Sequence, residues 1–481
     1  MSRTSAIAKN TFVQALGRTA GTGISLVTFS LMTHYLGTSG YGAFTTVTSF
    51  LQFFGILVDF GLSLTTVAML SERGADRDKI ASNIFTLRIL SAIAFFAAAP
   101  LAVLLLPYGP DVKSGVGVAA FSFFFLAVNQ VLTSVLQTEL RMARAATAEV
   151  LGRIGLLSGI LIVRHFDLGL GWMFASLSLA NGLTVFWNWL LVRRLVALSW
   201  RFDRAVWREI IRRSWPIALS ITFNLIYLKG DVIVLSLTRS QAEVGLYGAA
   251  YKILDVLTVI PIMFMGLVLP LLVKARGEGS DAEFRRILQR AFDFMAVLTL
   301  PLVAGTLAVG TPLLRFVASD QFASSGPLLQ ILILAAAAVF FGSMFGHAVI
   351  AVDKQRTMIW GYAADAILAT VLYVTLIPKY GPTSAAWVTV AAEGFIACAT
   401  YLVVRSATGF VPRFGTFVRA AAAAFGMAVL LRFLPDMHVL LKVLFGAVGY
   451  GGLAILLKAV SPETIRQLMG KSGVSETPPM A

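Results

Sequence analysis

HYLGTSGYGAFT (34–45) separates two long apolar runs, carries three glycines and holds no Asp, Glu, Lys or Arg. RSQAEVGLYGAA (239–250) again lies between apolar runs and again contains a Tyr-Gly-Ala, Tyr247-Gly248-Ala249, 206 residues after Tyr41-Gly42-Ala43, although it carries Arg239 and Glu243. Aligning the two lays the first apolar span on the seventh and the second on the eighth. A second landmark agrees. LGLGWMFASLSLANGLTVFWNWLLVRR (168–194) parallels YGPTSAAWVTVAAEGFIACATYLVVRS (380–406) at an offset of 212, so that Asn181-Gly182 meets Glu393-Gly394 and Arg193 meets Arg405. Spans 1–6 and 7–12 therefore read as two copies of one unit. Because six is even, both copies cross in the same sense, with a pseudo-two-fold axis along the membrane normal. In each copy the glycine-rich stretch reads as a tight turn on the translocated side.

The solvent of this chain is lipid. It is 58% hydrophobic and 13% charged, where an ordinary soluble protein is roughly 25% charged, and its mean hydropathy is +0.82. No soluble fold of 481 residues hides that much apolar surface. Taking about 20 mostly apolar residues per span gives about 14 candidates. Helices are expected, because a lipid-facing backbone must satisfy its own hydrogen bonds and the ten-residue alternation of an outer-membrane barrel is absent. The N-terminal apolar segment is too long for a signal-peptide core and reads as an uncleaved first span. The net charge of +15 does not point to nucleic acid, because the basic residues sit in short stretches between spans. Of the 39 Lys and Arg, 27 fall on one side of the membrane and 6 on the other, which predicts both termini in the cytoplasm. One cysteine, Cys398, and four scattered histidines exclude a disulfide framework and offer no metal or cofactor site.

The expected organisation is all-α: an N-lobe over 1–192 with spans 1–6, a linker over 193–214, a C-lobe over 215–405 with spans 7–12, two further spans over 406–460 and a polar cytoplasmic tail over 461–481. In the linker, aromatic and aliphatic residues alternate with seven arginines, which predicts an amphipathic helix in the cytoplasmic interface.

Charges inside spans carry the functional signal, since each costs a few kcal/mol in the bilayer core. Glu149 with Arg153 (i, i+4) and Lys252 with Asp255 (i, i+3) read as structural pairs. Arg18, Arg88, Lys229 and Asp231 have no local partner at good spacing and are candidates for lining a cavity. No loop outside the membrane is long enough for a catalytic domain, so a transporter is expected rather than an enzyme.

LGTSGYGAF followed by VDFGL, then KGDVIVLSLTRSQAEVGLYGAAYKI (229–253) and IPKYGPTSAAWVTVAAEG (377–394), resemble the polysaccharide-exporter branch of the multidrug/oligosaccharidyl-lipid/polysaccharide exporter superfamily. Ser384 departs from the pattern where a glycine usually stands. The resemblance covers spans 1–12 well and the last two loosely. It implies a two-lobed flippase in a bacterial inner membrane, working by alternating access. Its cargo would be an oligosaccharide on undecaprenyl diphosphate, carried to the periplasmic leaflet, with membrane lipids and polysaccharide polymerase and export machinery as partners. Arg18, Arg88, Arg153 and Lys229 would supply the cationic cavity for the diphosphate, and Asp59, Asp231, Asp365 and Glu393 are the coupling candidates for H+ or Na+. Three alternatives stay open: a lipid II flippase, a cation-coupled drug antiporter, and a membrane glycan polymerase or ligase.

Overall fold

A computed structural model of the chain describes residues 3–460 other than 73, 75, 140 and 436; the side chains of residues 3–20 and 220 also fall outside the described set. The helices are α1 (Arg3–Asp59), α2 (Leu62–Leu70), α3 (Arg77–Leu104), α4 (Pro110–Thr138), α5 (Met142–His165), α6 (Leu170–Val192), α7 (Arg204–Thr238), α8 (Gln241–Gly277), α9 (Asp281–Ala318), α10 (Gly326–Ala351), α11 (Gln355–Thr408), α12 (Gly415–Phe433) and α13 (Val439–Leu456). A 3-10 turn covers Asp320–Ser325, and no strand occurs among the described residues. Among the described residues, twelve stretches are long and apolar enough to cross a membrane, two of them 50 and 54 residues long. The predicted tail over 461–481 lies outside the described residues.

The chain forms two compact units. The first holds Met1–Ala250, Val317–Ser325 and Tyr362–Thr389; the second holds Tyr251–Phe316, Gly326–Gly361 and Val390–Ala481. In the first unit α4 packs against α1, α3, α5 and α6, around a core that includes Val47, Leu51, Phe96, Val116, Phe123 and Phe174. In the second, Val309, Met427, Leu431 and Val439 form one cluster and Ala420, Ala423 and Ala454 another. Lipid tails are as apolar as leucine, so these contacts stabilise through close packing rather than transfer from water. Leu105, Phe121, Leu179, Phe425 and Phe433 are exposed, as a lipid-facing surface requires.

The opening stretch is a turn of one residue. Only Gly37 departs from helical geometry (φ 64, ψ −173), and Tyr41-Gly42-Ala43 are helical. Their glycine serves packing instead. A Cβ on Gly42 would sit 1.7 Å from the Gln241 carbonyl oxygen, and one on Gly245 would sit 1.9 Å from that of Thr38. The later copy turns differently: α7 ends at Thr238, and Ser240 caps α8 with Glu243, the Ser240 N–H donating to Glu243 Oε2 at 3.2 Å and the Glu243 N–H donating to Ser240 Oγ at 3.3 Å.

The linker corrects the expectation of one interfacial helix. Residues 193–203 are not helical, and the rest forms the first turns of α7. This irregular stretch lies along α3, whose polar side chains bond its backbone. Asp78 Oδ1 accepts from Ala197 N–H at 3.0 Å, Ser82 Oγ donates to the Ala197 carbonyl at 3.0 Å, and Asn83 Oδ1 accepts from Asp203 N–H at 2.8 Å. Asp203 then caps α7 and pairs with Lys79 at 2.7 Å. Side-chain partners for these backbone groups remove the usual pressure to coil.

Candidate functional site

A cavity of about 560 Å³ opens in the first unit among α4, α5 and α6, with Ser63 of α2 at its wall. Its lining repeats at helical spacing. From α4 come Asn129, Gln130, Thr133, Ser134 and Gln137; from α5, Glu149 and Arg153; from α6, Asn181, Thr184 and Asn188. Two amides join α4 to α6: Asn188 Nδ2 donates to Asn129 Oδ1 at 2.7 Å, and Asn181 Nδ2 to Ser122 Oγ at 2.7 Å. Asn188 is 1% exposed, and its Oδ1 has no hydrogen-bond partner among the described residues.

Arg153 is the cation of this wall. Its Nη2 meets Glu149 Oε1 at 2.5 Å, as the i, i+4 spacing predicts, and its Nη1 donates to Ser25 Oγ of α1 at 2.9 Å. The side chain is 28% exposed, so the guanidinium can still reach a ligand.

Arg88 and Asp59, expected to play separate roles, meet. α1 stops at Asp59 because Phe60 (φ 41) and Gly61 (φ 71) adopt left-handed backbone before α2 resumes. Arg88 Nη2 donates to Asp59 Oδ1 at 2.6 Å and to Ser63 Oγ at 3.1 Å, and Ser63 Oγ donates to Asp59 at 2.5 Å. The Arg88 side chain is 0% exposed. Ser63 also lines the polar cavity, so the pair sits one side chain behind its wall.

Asp231 is fully buried in a separate cluster of the same unit. Tyr247 Oη donates to its Oδ2 at 2.5 Å, its Oδ1 accepts from Val232 N–H at 2.7 Å, and Thr389 Oγ1 stands 3.1 Å from Tyr247 Oη. Lys229 is near enough to act on it electrostatically. Asp365, from α11, is 1% exposed, with neither carboxylate oxygen bonded among the described residues. Glu393 is buried in the second unit. Arg18 lies in α1, where its side chain is outside the described set. A further cavity of about 670 Å³ in the second unit, between α9, α12 and α13, has a mostly apolar lining that includes Arg432 and Lys442.

Sequence reasoning followed charge and so passed over the neutral amides. Asn129, Gln130, Thr133, Ser134 and Gln137 recur on one face of a membrane helix, and that polar stripe was the available signal.

The model of the family described as "Polysaccharide biosynthesis protein" matches residues 7–276. The chain belongs to the polysaccharide biosynthesis protein family. Its relatives include "Probable flippase AglR" of Haloferax volcanii, 25% identical over 256 residues that make up 50% of this chain and 53% of that protein. The match thus spans about half the length of that relative. "Probable low-salt glycan biosynthesis flippase Agl15" of the same organism is 23% identical over 76% of each chain. Among solved structures, the lipid II flippase MurJ in its inward closed conformation shares the fold at a TM-score of 0.78 and 15% identity, covering 95% of this chain and 100% of that one. An inward-facing multidrug resistance MATE transporter of the MOP superfamily aligns at 0.69 and 16% identity, over 81% of this chain and 94% of that one. The chain is thus a multi-pass helical membrane protein of this polysaccharide biosynthesis family. The family region contains the polar cavity and the Arg88–Asp59 pair, whereas Asp365 and Glu393 lie beyond it.

Proposed function

We propose that the chain is a flippase that moves an undecaprenyl-diphosphate-linked oligosaccharide from the cytoplasmic to the periplasmic leaflet, for surface polysaccharide assembly. The observation that carries this reading is a polar cavity with an accessible arginine, built from membrane-spanning helices inside the family-matched region. A diphosphate loses its hydration on entering a low-dielectric core, and fixed cations and donors must replace it. Arg153 is the first such cation; Lys229 and Arg18 are further candidates, and Arg88 joins them only where its pairing with Asp59 opens.

Transport by alternating access needs a bias between states, and a coupling cation would supply it. Asp365 is the first candidate, ahead of Asp59, Asp231 and Glu393, because a buried carboxylate with neither oxygen bonded is costly unless a cation joins it. The two stretches of 50 and 54 residues would be about 75 and 80 Å long as straight helices, against a core of about 30 Å. Each contains a glycine outside helical geometry, Gly37 and Gly381. We read each as two crossings, which would bring the twelve to fourteen; an even number leaves both termini on one side, and the bias of basic residues favours the cytoplasmic one.

The test is loss of the gene in the source cell, followed by analysis of the inner leaflet. A carrier-linked glycan of the surface-polysaccharide type should accumulate there, and complementation with Arg153→Gln should lower export roughly 10- to 100-fold, the value of a lost charge-assisted hydrogen bond. Accumulation of lipid II, or of no carrier lipid alongside new drug sensitivity, overturns the reading in favour of a lipid II flippase or a drug antiporter.

A further inference from the structure

We propose that the amide-lined cavity among α4, α5 and α6 recognises the uncharged sugar portion of the cargo, separately from the diphosphate. The inference rests on the flippase reading and assigns that substrate's glycan a place of its own.

Away from Arg153 and Glu149, the lining has the chemistry of a sugar site. Asn129, Gln130, Gln137, Asn181 and Asn188 each offer both donors and an acceptor, as sugar hydroxyl and acetamido groups do. Arg153 and Glu149, paired at 2.5 Å, are the only charged residues of the lining, and the rest of the wall is uncharged. Leu126, Leu156 and Leu177 add apolar surface for the C–H faces of a pyranose ring. The volume, about 560 Å³, falls inside the range of small-molecule sites.

A purely structural role leaves part of this unexplained. Polar side chains do join membrane helices, and the Asn188–Asn129 and Asn181–Ser122 bonds do so here. Yet Asn188 Oδ1 is buried without a partner among the described residues, and such an acceptor is destabilising unless a ligand or water reaches it. The same wall continues through Ser63 to the Arg88–Asp59 pair, where the helix break at Phe60 and Gly61 interrupts the membrane span. Broken membrane helices persist where they line a cavity or lie buried in protein.

The experiment uses the full-length protein in lipid nanodiscs with two probes. One is the free glycan released by mild acid from the carrier lipid of the source cell. The other is undecaprenyl diphosphate without sugar. The free glycan should bind the unmodified protein, and both Asn188→Leu and Gln130→Leu should weaken it about tenfold or more, with binding of undecaprenyl diphosphate unchanged in each variant. Gln130→Leu keeps the test valid should Asn188→Leu unfold through loss of its bond to Asn129, which a thermal melt would show. Absence of glycan binding to the unmodified protein, or equal weakening of both probes by Gln130→Leu, overturns the proposal and makes the cavity a structural seam or an ion path. Failure of undecaprenyl diphosphate to bind the unmodified protein instead overturns the flippase reading itself.

Discussion

Arg88 has no exposed side-chain surface, carries a permanent charge and has two of its three guanidine nitrogens, Nε and Nη1, without partners among the described residues. Its stability therefore depends on Asp59, and Asp59 in turn is held by Ser63. Removing one member of a buried pair strands the other, at about 3–5 kcal/mol, while replacing both by packed apolar groups is often close to neutral. Arg88→Met should accordingly lower the melting temperature in detergent sharply, and Asp59→Leu combined with Arg88→Met should recover at least half of the loss. A stable double variant that no longer transports would show that Arg88 serves the cargo as well as the fold. No recovery in the double variant would show that something other than the pair holds this helix break.

At the scale of elements, two joints carry their own predictions. The second half of α1 and the start of α8 meet backbone to backbone at Gly42 and Gly245, within the first unit. Any Cβ there must push the helices apart, so Gly42→Ala should destabilise by about 1–3 kcal/mol. Gly109→Ala, at a position with open space around it, should leave the thermal melt unchanged. The other joint is the strap between α6 and α7. The Lys79 ammonium, followed by the backbone donors at Val206 and Ala205, holds the Asp203 carboxyl below its ordinary range, and Arg212 and Arg213 do the same for Glu209. A depressed carboxylate contributes stability that is present above its unfolded pKa of about 4 and is lost as pH falls through the folded value. Hydrogen-exchange protection over 197–206, corrected for the intrinsic rate, should therefore be flat from pH 7 to about 5 and fall below about 4. Asp203→Asn should remove most of that dependence; an unaltered profile in the variant would assign it elsewhere.

For the whole molecule, the strongest claim is orientation. The bias of 27 basic residues against 6 predicts the loop before α4 outside and the loop between α8 and α9 inside. In a Cys398→Ser background, a membrane-impermeant maleimide should label Gly109→Cys in intact spheroplasts and Glu278→Cys only after permeabilisation. The reverse pattern would invert the protein, and with it the direction of the proposed transport.

Composition alone determined that the solvent is lipid and the spans helical, because hydrogen-bond satisfaction in hydrocarbon leaves few other choices. Sequence spacing likewise determined the Glu149–Arg153 pair, which lies within one helical turn. What needed the tertiary structure was everything made between distant segments. Asp59 and Arg88 are 29 residues apart, on different helices, and read as two separate functional charges until packing joined them. The 193–203 strap read as part of a helix because the polar row of α3 that satisfies its backbone is more than a hundred residues away. Tyr-Gly-Ala read as a corner because glycine serves both turns and close approach, and only the position of Gln241 against Gly42 decides between them. The amide cavity was hidden for the same reason. Each helix shows only its own polar stripe, and a binding volume exists only where α4, α5 and α6 bring such residues to one space.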